Sequence, residues 1–382
     1  MDHLSEVVKI LEGALRHDPR GARDYGLLLA EKLEAERHGR QAEALRRTIA
    51  RVPGLAVGAA GLGADLPRDE ESDLQTVDLE FITEIEQPLA LPRLVREQID
   101  EFVEAARSQD LWSQHGLDAP ARLLLTGPPG TGKTQIAREI AAQLRLPIAV
   151  TRSDVLVSSL LGQTSRNLRR VFDFASSRPC VLFLDELDAL AKRRDDSQEV
   201  GELQRVVIAL LQNLDALSSS TIVIGATNHP ELLDKAIGRR FTYRAGVPLP
   251  ALPERLEIWR DRLSDHAPTT AELEVLAEAS VGMSGALIEA AALDARRQAV
   301  LQGQEVTSLA LVLRRLARML WYDDHQVFET AEAEMAALRR WQPHVFTYRT
   351  LAEQFQVTTR QVGNAIRKSA GAGADNPRQD AT

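Results

Sequence analysis

At 382 residues the chain exceeds what one hydrophobic core organises, so two or three compact units are expected, and its 44% hydrophobic, 26% charged and 4% aromatic residues describe a folded, helix-rich protein. A formal net charge of −9 argues against a protein that coats nucleic acid indiscriminately, while leaving room for a small basic module. The single cysteine, Cys180, rules out an intrachain disulfide framework and a Cys-based zinc site; within the apolar run CVLFL it reads as a buried, inert thiol.

MDHLSEVVKI lacks a basic-then-apolar leader, and no uncharged apolar run reaches about eighteen residues, so the expectation is a cytoplasmic protein with no membrane partner. Leu4, Val7, Val8 and Leu11, then Leu27, Leu28 and Leu45, recur at helical spacing around a DPRG turn, which predicts a helical module over 1–51. Residues 52–76 shift to Gly, Ala, Pro and acids and read as a flexible linker. Over 77–250, the apolar runs RLLLTG, PIAV, CVLFLD, TIVIGAT and YRAGVPL alternate with amphipathic stretches, the pattern of a parallel sheet with helices on both faces. The pattern is then helical only: a subdomain over 251–320, a C-terminal helical region over 321–370 broken at QPHVF, and a small, polar, disordered tail over 371–382.

Three of the strand runs end in chemistry. LLLTGPPGTGKT has the strand, glycine-rich loop and helix order of a phosphate-binding loop. Gly127, Gly130 and Gly132 let backbone N–H groups close on phosphate oxygens, Lys133 reaches the β and γ phosphates, and the Thr134 hydroxyl suits magnesium. The whole run, with Pro128, Pro129, Thr131 and Gln135, is expected to hold ATP. VLFLDELDAL ends a strand in Asp185 and Glu186; by itself this is equally an acidic strand end before a helix cap. Beside a phosphate loop, Asp185 is expected to hold Mg2+ and Glu186 to activate water. TIVIGATN stops at Asn228, on the strand edge where ligands bind in such sheets, where a capping role is the alternative.

GPPGTGKT, LFLDELDAL, GATN, LLDKAIGRRF and GMSGA, in that order, resemble the AAA+ ATPases, in the clade of katanin, spastin and the membrane-anchored bacterial AAA proteases, over roughly residues 77–320. The resemblance implies a P-loop NTPase sheet followed by a small helical lid, and a hexameric ring with ATP bound between subunits. By the same resemblance Asn228 is the first sensor, Arg239 and Arg240 are arginine fingers, and Gly285 with Ala286 are where the lid approaches nucleotide. Leu160, Leu161 and Gly162, in VSSLLGQ, align with the channel loop that touches substrate, and KRRDDSQEVGE is a second channel-facing segment. In place of the usual adenine-contacting turn stands EIEQPLALP, where Leu89 and Ala90 are the residues to line a base pocket. No HExxH occurs, so any proteolysis belongs to a separate protein, as for stand-alone bacterial ATPases of this build, some in defence systems.

TYRTLAEQFQVTTRQVGNAIRK resembles a helix-turn-helix with Gln356 where glycine is usual. Leu351, Ala352, Val357, Val362 and Ile366 would pack two short helices, and Arg360, Arg367 and Lys368 lie on or near the second. The segment suits DNA or a protein contact. The sequence therefore predicts an ATP-hydrolysing ring that remodels or regulates a protein partner, with an ATP-controlled DNA-binding regulator as the alternative.

Overall fold

The computed structural model describes residues 3, 6–7, 9–11, 19–35, 37–50, 66–69, 75–82, 85, 88–117, 120–151, 161–190, 200–218, 220–263, 268–304, 307–323, 328 and 330–372. The chain divides into two compact units, 1–248 and 249–382.

In the first unit, helices α1 (Pro19–Ala35) and α2 (Gly39–Ala50) pair across a turn at Arg37. Strand β1 (Val77–Glu80) precedes α3 (Arg93–Arg107) and the short α4 (Gln109–Gln114). Strands and helices then alternate: β2 (Arg122–Thr126), α5 (Lys133–Leu144), β3 (Ile148–Thr151), α6 (Leu161–Ser177) and β4 (Val181–Leu184). A 3-10 turn (Leu187–Leu190), α7 (Val200–Ala216), β5 (Ile222–Thr227), the single turn α8 (Lys235–Gly238) and β6 (Tyr243–Gly246) complete the unit.

The six strands form one sheet in the order β1-β3-β4-β5-β2-β6, parallel except for β1, which runs antiparallel along β3. The central strands are apolar at nearly every position because both faces are covered. Leu124, Leu182, Leu184 and Val223 pack against α6 and α7. Their neighbours Leu123, Leu125, Val181, Phe183 and Ile224 pack against α3 and α5. Each such side chain contributes roughly 1.5–3 kcal/mol through burial. Strand β1 escapes the sequence pattern because VDLE is an edge, buried at Val77 but exposed at Asp78. It is tied to α5 by a two-pronged ion pair, Arg138 donating to Glu80 at 2.8 and 3.0 Å.

The end of the expected linker is fastened to the sheet. Thr76 donates its N–H and hydroxyl to the Pro67 carbonyl, both at 2.9 Å, and Asn167 on α6 donates to Asp69 at 2.6 Å. The N-terminal helices share a hollow with the amino-terminal ends of the strands: Tyr25, Leu28 and Lys32 line it together with Leu146, Cys180 and Ile222. That edge is opposite to the strand ends that carry the sequence motifs.

The second unit is helical among its described residues: α9 (Leu252–Arg262), α10 (Thr270–Ala279), α11 (Gly285–Leu301), α12 (Leu309–Asp323), α13 (Ala331–Trp341), α14 (Tyr348–Phe355) and α15 (Thr359–Ala372). Threonine caps start several helices; Thr269 forms a reciprocal capping box with Glu272. One hydrophobic cluster runs continuously from Trp259 through Leu316 to Ala365. The boundary expected between 320 and 321 therefore crosses a single shared core.

Candidate nucleotide site

Strands β4, β5 and β2 are neighbours, so their carboxyl ends bring three motifs side by side. The loop after β2 depends on missing side chains at two positions. Gly127 has φ 146° and a Cβ there would lie 2.0 Å from the Val247 carbonyl oxygen; Gly132, at φ 93°, would put one 2.4 Å from Leu89. Leu89 thus rests against the phosphate loop, and Arg96 holds its segment by donating to the Leu89 carbonyl at 2.6 Å.

Gly132 caps α5 without a side-chain hydrogen bond, which leaves the first amides and the positive end of the helix for an anion. Lys133 is buried, and its Nζ donates to the carbonyls of Gly127 at 2.7 Å and Pro128 at 2.8 Å. Burial pushes its pKa down, against the opposing charges of Asp185 and Asp188. Thr131 closes the loop by donating to the Pro128 carbonyl at 2.9 Å. Pro128, Pro129, Gly130 and Gln135 are exposed around it.

Immediately after β4, Asp185 accepts a hydrogen bond from the Thr134 hydroxyl at 3.0 Å, while its other oxygen accepts the Glu186 N–H at 2.9 Å. Glu186 is exposed and takes the left-handed backbone, φ 54°, before the 3-10 turn. That conformation is uncommon for a non-glycine residue and costs on the order of 1 kcal/mol or more. It directs the chain so that Glu186 stands clear of the strand while Asp185 stays on the loop.

Asp188, overlooked in the sequence, joins the second motif to the third. Only 1% exposed, it accepts the Thr227 hydroxyl at 3.0 Å and the Asn228 N–H at 3.1 Å. Asn228 is half-buried at the end of β5, its backbone fixed by this carboxylate, and His229 N–H donates to Thr227 at 3.1 Å. The available signal was a third acid, in DELD, four residues past the last residue of the strand, Leu184.

The two arginines after α8 differ. Arg239 is exposed, and its guanidinium has no ion-pair partner among the described residues. Arg240 grips Asp215 at the end of α7 with two hydrogen bonds of 3.2 and 3.0 Å. The hydrogen bond from Arg240 holds the Asp215 carboxyl below its usual range. Gly285 and Ala286 open α11 in the second unit, after the capping residue Ser284. Of the triplet expected on a loop tip, the backbone of Leu161 and Gly162 forms the first turn of α6, because the helical periodicity of RNLRRVFDF extends back to them. Leu160 lies outside the described residues, as do 192–199 of the second segment.

Magnesium fits this donor set. An ATP-bound ion keeps phosphate and water ligands and asks little of the protein, and the Thr134 hydroxyl and Asp185 carboxylate are two hard oxygens already adjacent. No helix among the described residues is long and apolar enough to cross a membrane.

Residues 123–249 match the family described as ATPase family associated with various cellular activities (AAA). The chain is 49% identical over 140 residues to an uncharacterized AAA family ATPase, y4kL, of Sinorhizobium fredii, covering 37% of this chain and 42% of that one. It is 34% identical over 238 residues to the proteasome-activating nucleotidase of Aeropyrum pernix, covering 59% and 58%. The chain thus spans about half the length of these curated relatives. Among solved structures, the crystal structure of the FIGL-1 AAA domain superposes with TM-score 0.53 at 26% identity, over 69% of this chain and 91% of that one. With the sheet order, the phosphate loop and the paired acids in hand, residues 123–249 are an AAA ATPase domain.

Proposed function

We propose that the protein hydrolyses ATP at a site shared between neighbouring copies in a ring, and uses the cycle to remodel a protein partner. The observation that carries this reading is the convergence at three adjacent strand ends: a buried lysine in a glycine loop, a Thr134–Asp185 pair, and an exposed Glu186 beside a fixed Asn228.

Lys133 exchanges the carbonyls of Gly127 and Pro128 for phosphate oxygens; its burial strengthens that attraction because little water competes. Thr134 and Asp185 would hold magnesium, which neutralises charge on the triphosphate. Glu186 is the general base, accepting a proton from the attacking water, while Asn228 orients that water. Charge developing on the γ-phosphate calls for a cation from outside the subunit. Arg239 is suited to that role because its guanidinium has no ion-pair partner among the described residues, and Arg240, paired with Asp215 within its own subunit, would be the second finger.

A protein partner is supported by the name of the proteasome-activating relative. Leu160, Leu161 and Gly162 would grip that partner in the channel, and a separately encoded protease would act on what the ring delivers. On this reading the ring works in the cytoplasm. The test is Glu186→Gln with radiolabelled ATP: retained binding with turnover reduced by about 100-fold or more supports the reading, and unchanged turnover refutes it.

A further inference from the structure

We infer that the exposed face of α15 reads the major groove of duplex DNA. Helices α14 and α15 cross at a turn where Gln356 adopts φ 54°, and Leu351, Ala352, Val362 and Ala365 bury the inner side of the pair. The outer side of α15 presents Arg360, Gln361, Asn364, Arg367 and Lys368, all exposed. From Gln354 to Ala372 the sequence contains three basic residues and no acid, within a chain of net charge −9.

Nearby acids are already engaged. Glu353 pairs with Arg349 at 3.0 Å, one turn back on α14. Glu334 is enclosed by Arg314 and Arg318, with four hydrogen bonds of 2.8 to 3.2 Å. Among the described residues, Arg360, Arg367 and Lys368 have no ion-pair partner.

What the face lacks separates DNA from a protein partner. A helix that docks on protein offers large apolar or aromatic anchors at its centre. Here Val357 and Ile366, the apolar residues at this level, pack against the helical core, and the residues described as exposed on α15 are Thr359, Arg360, Gln361, Asn364, Arg367 and Lys368, with no large apolar side chain among them. Amide and guanidinium groups one turn apart are the side chains that pair with adenine and guanine edges. Asn364 and Arg367 are already arranged as a unit, Arg367 donating to the Asn364 carbonyl oxygen at 2.9 Å and to the Gly363 carbonyl at 3.2 Å. Arg360 and Lys368, at opposite ends of the face, are placed for phosphates on either side of a groove.

Size selects the nucleic acid. A helix about 10–12 Å across enters the roughly 12 Å major groove of B-form DNA and is excluded from the deep, narrow major groove of A-form RNA. The reader is also stiffly mounted. Arg314 on α12 donates to the Gln354 carbonyl at 2.9 Å and lies 3.7 Å over the Phe355 ring, so α14 is clamped to the helical unit at the turn.

The experiment measures fluorescence anisotropy of the full chain with a labelled mixed-sequence DNA duplex, across a salt series and without nucleotide. Keeping ATP out separates this test from the hydrolysis reading. Salt-sensitive binding is expected, with R360A/R367A/K368A weakening it at least tenfold and lowering the magnitude of the log–log salt slope by about 2–3. Lys368→Gln alone, a change on the solvent face, should lower it by about 1, which guards against a triple variant that folds poorly. An RNA duplex of the same sequence should bind much more weakly. Absence of DNA binding at low salt, equal affinity for the RNA duplex, or a salt slope unaltered in the variants overturns the inference.

Discussion

Asp188 shows how a residue without chemistry of its own controls the site. Its carboxylate satisfies the Thr227 hydroxyl and the Asn228 amide together, so Asp188→Ala leaves polar groups at the end of β5 without their acceptor, each costing about 1–3 kcal/mol. The expected result is a kcat lowered by about tenfold or more with KM for ATP little changed, because in the proposed mechanism Asn228 acts on water and Lys133 on the nucleotide. Equal losses in both parameters would mean that Asp188 only stabilises the fold. The two arginines make a second contrast. Arg239→Ala should reduce kcat by about 1,000-fold, the scale of an arginine finger. Asp215→Ala removes an exposed, solvent-screened pair and frees Arg240, so it should change kcat by under about tenfold and hardly move Tm. Residues whose chemistry is local were legible in the sequence: glycines before Lys133, acids after an apolar strand. Asp188 and Asp215 were not, because their partners are distant in sequence, at Thr227 and Arg240, and only the sheet order brings them together.

At the scale of elements, the join between α12 and α13 rests on charge. Burial by itself would raise the Glu334 carboxyl, but hydrogen bonds from Arg318 and Arg314 and their charges overcome it and hold the pKa at about 2. Because the folded value lies below the unfolded one, the stabilisation is complete above about pH 4.5, amounts to roughly 3 kcal/mol, and is lost as pH falls toward 2. Circular dichroism across that window should show a denaturation midpoint falling with pH. Glu334→Gln should be less stable at pH 7, since two arginines lose their counter-charge, and should have a flatter profile between pH 4.5 and 2; a variant as pH-sensitive as the parent would contradict the assignment. The helices themselves were readable from period and capping residues. Their merger into one core was not, because helical spacing alone does not show that the helices before and after residue 320 share an interior, which here extends past the QPHVF break to the fully buried Phe346. The β1 edge strand was equally hidden: four residues with one solvent face carry too little pattern to stand out.

For the whole molecule, the N-terminal helices do more than trail from a linker. They cover the end of the sheet opposite the nucleotide site, beside Cys180, whose thiol is pushed up to about 12 by burial. In the full chain it should resist alkylation at pH 8, and a chain lacking 1–50 should be modified many times faster; equal rates would place no covering role on those helices. The order of motifs along the chain made the ATPase domain legible from sequence, since phosphate chemistry demands a fixed local grammar of strand, loop and helix. The proposed assembly has a fainter trace, the exposed Arg239 guanidinium. The most direct measurement of the shared site is therefore ATP turnover on mixing two inactive proteins, Lys133→Ala and Arg239→Ala. The account predicts that activity returns on mixing, because the first supplies Arg239 to the intact phosphate loop of the second. Mixtures that stay inactive under conditions where the subunits demonstrably exchange, or an unmixed protein that is monomeric with ATP and equally active at every dilution, would contradict it.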